Sequence, residues 1–213
     1  MRPTATRLAF RLLLASCPFL FFTTAHAAAL GAFFGLDRCG IGGDFGQNTE
    51  IASQAGLVAG AQGEIGLSRG IALSLQPMYV RQETKATSVS DSASTDLKLT
   101  LDSFSLPIAV KFALGGGRSY VSSGLDISFL STAKLSIGGS EQDAKSLFND
   151  VNLGALLGFG VVFPVGRPRI TTELRYVAGV TDMAKTAFGG LPERFHSYGF
   201  QLSAGILLPL GGR

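Results

Sequence analysis

The chain has 213 residues, 46% of them hydrophobic and only 15% charged, against the roughly 25% charged residues usual in soluble domains. It carries 18 Lys and Arg against 15 Asp and Glu, but Arg2, Arg7 and Arg11 lie in the first 27 residues, so the remainder holds fifteen of each sign. A formally neutral remainder lacks the basic footprint of a nucleic-acid-binding protein, and no nucleic-acid partner is expected.

Residues 1–27 read as an export address. The three arginines make a positive start, an apolar core runs from Leu12 to Phe22, and Ala25-His26-Ala27 supplies the small-x-small site of a cleavable signal peptide. The apolar run is about 11 residues, short of the roughly 20 that a membrane-spanning helix needs. A rival lipobox reading of Leu14-Ala15-Ser16-Cys17 would acylate Cys17. It meets Arg11 inside the shortened apolar stretch and leaves Pro18–Phe22 exposed at the new start. Cleavage after Ala27 leaves residues 28–213 as one domain. Only Cys39 and His196 then remain of their types, so no internal disulfide and no Cys/His metal cluster can form, and no cofactor is expected.

Beyond residue 27 no run of 18 apolar residues occurs. An apolar exported chain without such a helix has the closed β-barrel as its remaining route across lipid, because hydrocarbon leaves no backbone group unpaired without heavy cost. Alternating stretches recur eight times, at about 33–45, 54–67, 70–83, 97–113, 118–134, 150–164, 168–182 and 194–210. In the third, Ile71, Leu73, Leu75 and Tyr79 share one face and Ala72, Ser74 and Gln76 the other. The fifth sets Val121, Leu125, Ile127 and Phe129 opposite Ser122, Gly124, Asp126 and Ser128. The last sets Tyr198, Phe200, Leu202, Ala204, Ile206, Leu208 and Leu210 opposite Ser197, Gly199, Gln201, Ser203 and Gly205. Period two with one apolar face predicts strands.

The connections alternate in kind. Leu67–Gly70, Gly115–Arg118 and Val165–Pro168 are short, whereas Thr84–Asp96, Ser136–Asp150 and Asp182–Glu193 are long and polar. Short turns on one rim and long loops on the other is the bacterial outer-membrane arrangement. The expected fold is therefore all-β, an eight-stranded antiparallel up-and-down transmembrane β-barrel. Both termini and the Arg-bearing turns would lie in the periplasm, with four longer loops outside. Tyr79, Phe104, Phe112, Tyr120, Phe163, Tyr176 and Tyr198 lie towards segment ends, where interface girdles belong. Pro77 and Pro107 fall inside strands, which signals an edge or a bulge. In the fourth segment the apolar phase changes from Leu97, Leu99 and Leu101 to Phe104, Leu106 and Ile108, and a bulge near Asp102–Ser103 would reconcile the halves.

Several of these motifs carry a family resemblance over about residues 35–210. Ala55–Gly60 with Leu73-Ser74-Leu75-Gln76-Pro77-Met78-Tyr79 resembles the opening hairpin of the PorT-like outer-membrane β-barrel family (outer membrane protein beta-barrel domain). Phe104–Lys111 is similar to its aromatic–x–x–Pro–aliphatic strand, and Thr172–Tyr176 with Gly179 to its penultimate one. The resemblance implies an eight-stranded barrel and tolerates both prolines, while implying little about activity. Gly205, Leu208 and Leu210 approximate the last-strand signal read by the barrel assembly machinery, so that machinery and outer-membrane lipid are the expected partners.

If the apolar face meets lipid, Glu64, Gln76, Lys111, Asp126, Glu173 and Arg175 point inward. Eight strands enclose only enough room for side chains, so these predict a paired, filled lumen rather than a pore. A non-enzymatic structural or surface-interaction role through the outer loops is the expected function. One alternative is a rim-active lipid A or phospholipid hydrolase built on His196, but Ser197 points to the opposite face. A further alternative is a soluble periplasmic barrel that binds an apolar ligand. Asp37, Asp44, Asp91, Asp96, Glu141 and Asp143 could bind Ca²⁺ from outside, although no EF-hand spacing is present. No metal ligands are assigned, and Cys39 is expected to be inert.

Overall fold

In the computed structural model the described residues are 28–43, 49–90, 93–183, 185 and 195–210. The expected export signal with Cys17, and the candidate acids Asp44 and Asp91, lie outside them. Among the described residues eleven strands run β1 (Ala28–Gly43), β2 (Thr49–Ser53), β3 (Ala55–Ser68), β4 (Ile71–Leu75), β5 (Met78–Ser90), β6 (Ala93–Leu114), β7 (Ser119–Ile137), β8 (Ser140–Asp143), β9 (Val151–Pro164), β10 (Arg169–Gly179) and β11 (Phe195–Leu210). All belong to one sheet, and every pairing is antiparallel. β1 pairs with both β11 and β3, β6 with β4, β5 and β7, and β9 with β7 and β10. No helix among the described residues is long and apolar enough to cross a membrane, which says nothing about crossing by strands.

Each of the eight alternating stretches coincides with a strand or a strand pair, and alternation sorts the side chains as period two requires. Leu30, Phe34, Leu36, Leu125, Leu157, Phe159, Leu174, Phe200, Leu202 and Leu208 are exposed on the outer face. Gln62, Ser74, Gln76, Ser105, Ser122, Thr171 and Gln201 are buried on the inner one. This is a globular protein turned inside out, with hydrocarbon outside and polarity within.

The two prolines share one irregularity and need no bulge. Gln76 and Pro77 lie in the gap between β4 and β5, facing Leu106 and Pro107 of β6. Register is unchanged across the gap, with Leu75 opposite Ile108 and Met78 opposite Ser105. The Gln76 N–H donates to the Pro107 carbonyl at 3.0 Å and the Ala61 N–H to the Pro77 carbonyl at 3.0 Å. Placing both missing donors at one point of the ladder confines the loss of hydrogen bonds.

The register does shift at Asp102/Ser103, but the extra residue is Ser131 on the partner strand β7. β6 keeps its phase throughout, with 99, 101, 103, 105, 109 and 111 all buried. Leu99 and Leu101 therefore face inward. Towards the long-loop rim they pack with Leu130, Ala133, Leu135, Ala144, Phe148 and Met183 in a closed apolar cluster. The phase change in the sequence marks a change in what fills the interior.

The loops also differ from expectation. Thr84–Asp96 is largely ladder: β5 and β6 stay paired up to Ser90 opposite Ala93. Ser136–Asp150 contains β8 and a 3-10 turn, Lys145–Leu147, which delivers buried Phe148 to the cluster. Most of Asp182–Glu193 lies outside the described residues. The short turns are as expected. Gly70 and Gly166 adopt φ of 81° and 69°, left-handed values that favour glycine in tight reversals.

Candidate functional site

The inner face gathers charge at one level. Glu173 on β10 is the hub. Its carboxylate accepts hydrogen bonds from the Tyr120 hydroxyl at 2.8 Å and the Ser122 hydroxyl at 3.0 Å. It also pairs with Arg175 at 3.1 Å and Lys111 at 3.7 Å. Lys111 reaches Glu64 at 2.6 Å, and Gln62 donates to the same Glu64 oxygen at 2.7 Å. The ammonium of Lys111 also sits 4.3 Å from the centre of the Tyr120 ring, within cation–π range. Arg175 extends the chain by donating to Gln76. Adjacent strands put these groups together: Ser122 lies opposite Gly158, and Gly160 lies opposite both Tyr120 and Glu173.

Five of the six expected inward residues, Glu64, Gln76, Lys111, Glu173 and Arg175, thus form one connected chain. Asp126 stands apart from it and accepts from Ser105. A carboxylate or ammonium moved from water into such an interior pays several kcal/mol unless it is paired and hydrogen-bonded. Glu64, Lys111, Glu173 and Arg175 meet that condition.

Tyr120, expected in the outer girdle, is buried at 5% exposure and belongs to the inner network. Its parity could have placed it, since the outward residues of β7 are odd-numbered there. The other girdle candidates, Tyr79, Phe104, Phe112, Phe163, Tyr176 and Tyr198, are exposed on the outer face. Asp37, weighed as a Ca²⁺ ligand reached from outside, is likewise internal. It is 2% exposed and paired in register with Gln201 on β11. With Asp126, Gln82, Asn152 and Gln201 it lines a cavity of about 50 Å³ between the charged network and the apolar cluster.

The remaining candidates carry little chemistry. His196 is exposed, its Nε2 lies 3.4 Å from Asp182 Oδ1, and its Nδ1 meets the Thr181 carbonyl at 3.1 Å. Neither ring nitrogen meets a hydroxyl among the described residues. Glu141 pairs with Lys134 at 2.9 Å, and Asp143 accepts the Lys145 N–H at 2.9 Å. Asp96 lies within β6. No group of three or more His, Cys, Asp or Glu among the described residues could hold a metal ion. Cys39 is buried, with its thiol directed at the Gly40 carbonyl.

The two rims differ in charge. On the long-loop side, Arg81 pairs with Asp102 at 2.9 Å, Lys98 with Glu83 at 2.9 Å, and Lys185 with Asp150 at 3.1 Å. Asp102 also accepts from Tyr79 and Thr132. On the short-turn side, Arg69, Arg118, Arg167 and Arg169 form no ion pair with any described carboxylate.

The model of the family described as "Outer membrane protein beta-barrel domain" matches residues 26–185. A search of curated proteins finds no match. Among solved structures, the outer membrane protein OprG from Pseudomonas aeruginosa aligns at a TM-score of 0.55 and 9% identity, covering 87% of this chain and 96% of its own. Neisserial surface protein A aligns at 0.46 and 16% identity, over 85% and 96% of the two chains. Ail of Yersinia pestis, in complex with the heparin analogue sucrose octasulfate, aligns at 0.46 and 12% identity, over 85% and 99%. At 9% identity the likeness to OprG is one of fold.

Proposed function

The chain belongs to the outer membrane protein beta-barrel domain family, and from that premise we propose a closed eight-stranded barrel with a filled polar lumen. On this reading it has no enzymatic activity and serves the outer membrane structurally or through its exterior loops. β2 with β3 and β4 with β5 count as single interrupted strands, and β8 is a hairpin within a loop. The pairing of β1 with both β3 and β11 supports closure. Within the family the motifs at 55–60, 73–79, 104–111 and 172–179 favour the PorT-like branch. Residues 1–27 act as the cleaved signal, and assembly proceeds through the barrel assembly machinery.

The observation that carries the filled lumen is the fourfold engagement of Glu173 by Lys111, Arg175, Tyr120 and Ser122. Salt bridges across the interior work against a continuous aqueous path, and the apolar cluster at Phe148 narrows the long-loop end. The test is electrical. Purified protein in planar bilayers is expected to give no discrete conductance steps at neutral pH, with heat-modifiable gel migration showing that it is folded. Stable steps from the folded wild-type protein would overturn the filled lumen.

The loop role rests on the extended β5–β6 hairpin and on the β8 hairpin, both beyond the exposed aromatic residues Tyr79, Phe104 and Phe129. Deletion of 138–143 is expected to leave heat-modifiable migration intact while changing whole-cell surface binding or aggregation. A deletion that alters neither cell-surface property would argue for a purely structural role.

A further inference from the structure

The short-turn rim carries three reversals, and each has the same two ingredients. Leu67 at 50% exposure precedes Arg69, Leu114 at 41% precedes Arg118, and Val165 at 55% precedes Arg167. All three arginines are exposed. The turns contain no Asp or Glu. On the opposite rim, by contrast, Arg81, Lys98, Lys134 and Lys185 each hold a carboxylate.

An exposed aliphatic side chain at the edge of the lipid-facing surface marks where hydrocarbon ends. A guanidinium two to four residues farther on falls at headgroup depth. Arginine suits that position chemically. Its planar fork gives two parallel N–H donors to the two free oxygens of a phosphodiester, and it stays charged at any relevant pH. Unpaired cations that repeat around a rim have no structural use within the chain, and their mutual repulsion is relieved by an anionic surface.

We propose that Arg69, Arg118 and Arg167 form a collar that binds anionic phospholipid headgroups of the periplasm-facing leaflet. The collar rests on the reading of the chain as a closed barrel with its short turns in the periplasm. It selects lipids with net negative headgroups, such as phosphatidylglycerol, over zwitterionic ones. It also fixes the depth of the barrel at the rim where no folded loop does so.

The test uses the full mature chain in detergent micelles doped with equal amounts of phosphatidylglycerol and phosphatidylcholine, with retained lipids counted by native mass spectrometry. Each basic residue near an anionic surface contributes about 1 kcal/mol, so the wild-type protein should retain phosphatidylglycerol at least tenfold over phosphatidylcholine. R69Q/R118Q/R167Q should fall to near parity, and R69K/R118K/R167K should keep most of the preference. Parity in the wild type, or an unchanged preference in the glutamine variant, overturns the collar. If the triple variant fails to fold, the single R118Q is read instead, with about a fivefold drop expected and no drop counting against the proposal. Heat-modifiable migration and labelling of G116C in intact and permeabilised cells separate the two levels. No heat shift in the wild type fails the barrel and takes the collar with it. Labelling of G116C in intact cells puts the turns outside and overturns the leaflet assignment. A heat-shifted, correctly oriented protein without lipid preference overturns the collar alone.

Discussion

Two halves of one interior are filled in opposite ways. Near the short turns, β6, β7 and β10 contribute Lys111, Tyr120, Ser122, Glu173 and Arg175, every one engaged with a partner of matching charge or hydrogen-bonding type. Farther along the same β6 and β7, Leu99, Leu101, Leu130, Ala133 and Leu135 close on Phe148 and Met183. Both halves hold strands together, but they fail differently. A salt-bridged interior is vulnerable to the loss of one partner, because the others are left charged in a poor solvent. A hydrocarbon interior is vulnerable to lost volume and tends to give way locally.

The largest expected effect comes from breaking the charged half at its hub. Glu173→Ala should lower unfolding stability by about 3–5 kcal/mol, read as a shift of the urea midpoint in lipid vesicles. Replacing Lys111, Glu173 and Arg175 together by Met, Leu and Met should recover much of that loss, because no charge is then stranded. A triple variant as unstable as the single one would contradict the pairing account. Phe148→Ala comes next, at about 3 kcal/mol. Its loss should appear as proteolytic cutting within 138–150 while the heat-shifted band persists. If instead the whole barrel unfolds, the two halves are not separable.

Tyr120→Phe sharpens the contrast at smaller scale. It removes one hydroxyl from Glu173 and should cost about 1–2 kcal/mol by the same urea measurement, with no change in loop proteolysis. The smallest effect belongs to the outer rim, where Arg81→Gln breaks an exposed pair and should cost under about 1 kcal/mol. Beyond the exposed aromatics, partial burial works against the Asp102 charge, yet hydrogen bonds from Tyr79, Arg81 and Thr132 hold its carboxyl below the ordinary value. A depressed carboxyl contributes stability that is fully present above the ordinary carboxylate range. That contribution is lost as pH falls through the lowered value. Loop proteolysis should therefore accelerate only in strong acid, and Asp102→Asn should abolish the acid step.

The strands are legible in the sequence because alternation is enforced by two solvents, and the inward charges come from parity alone. What parity does not disclose is that the interior changes character along its length. Leu99 and Leu101 read as lipid-facing because apolar residues in a membrane strand are assumed to seek lipid, yet above the apolar band they seek each other. Tyr120 reads as a girdle residue by its nearness to a strand end, although its parity with Ser122 and Asp126 points inward. Asp37 is obscured by the glycines around it. The polar run Thr84–Asp96 gives no sign that paired strands continue through it, since backbone bonding between two neighbours needs no apolar face.

Gly158 and Gly160 on β9 have a consequence for how the sheet is assembled. A Cβ at Gly160 would land on the Tyr120 ring, and one at Gly158 on the Ser122 hydroxyl beside Glu173. Strands that insert by zippering against a neighbour can slip by two residues without exposing the wrong face. Here a slip in one direction brings Val162 against Tyr120, and a slip in the other brings Leu156 against Ser122. The two empty places therefore favour one alignment of β9 over its nearest competitors.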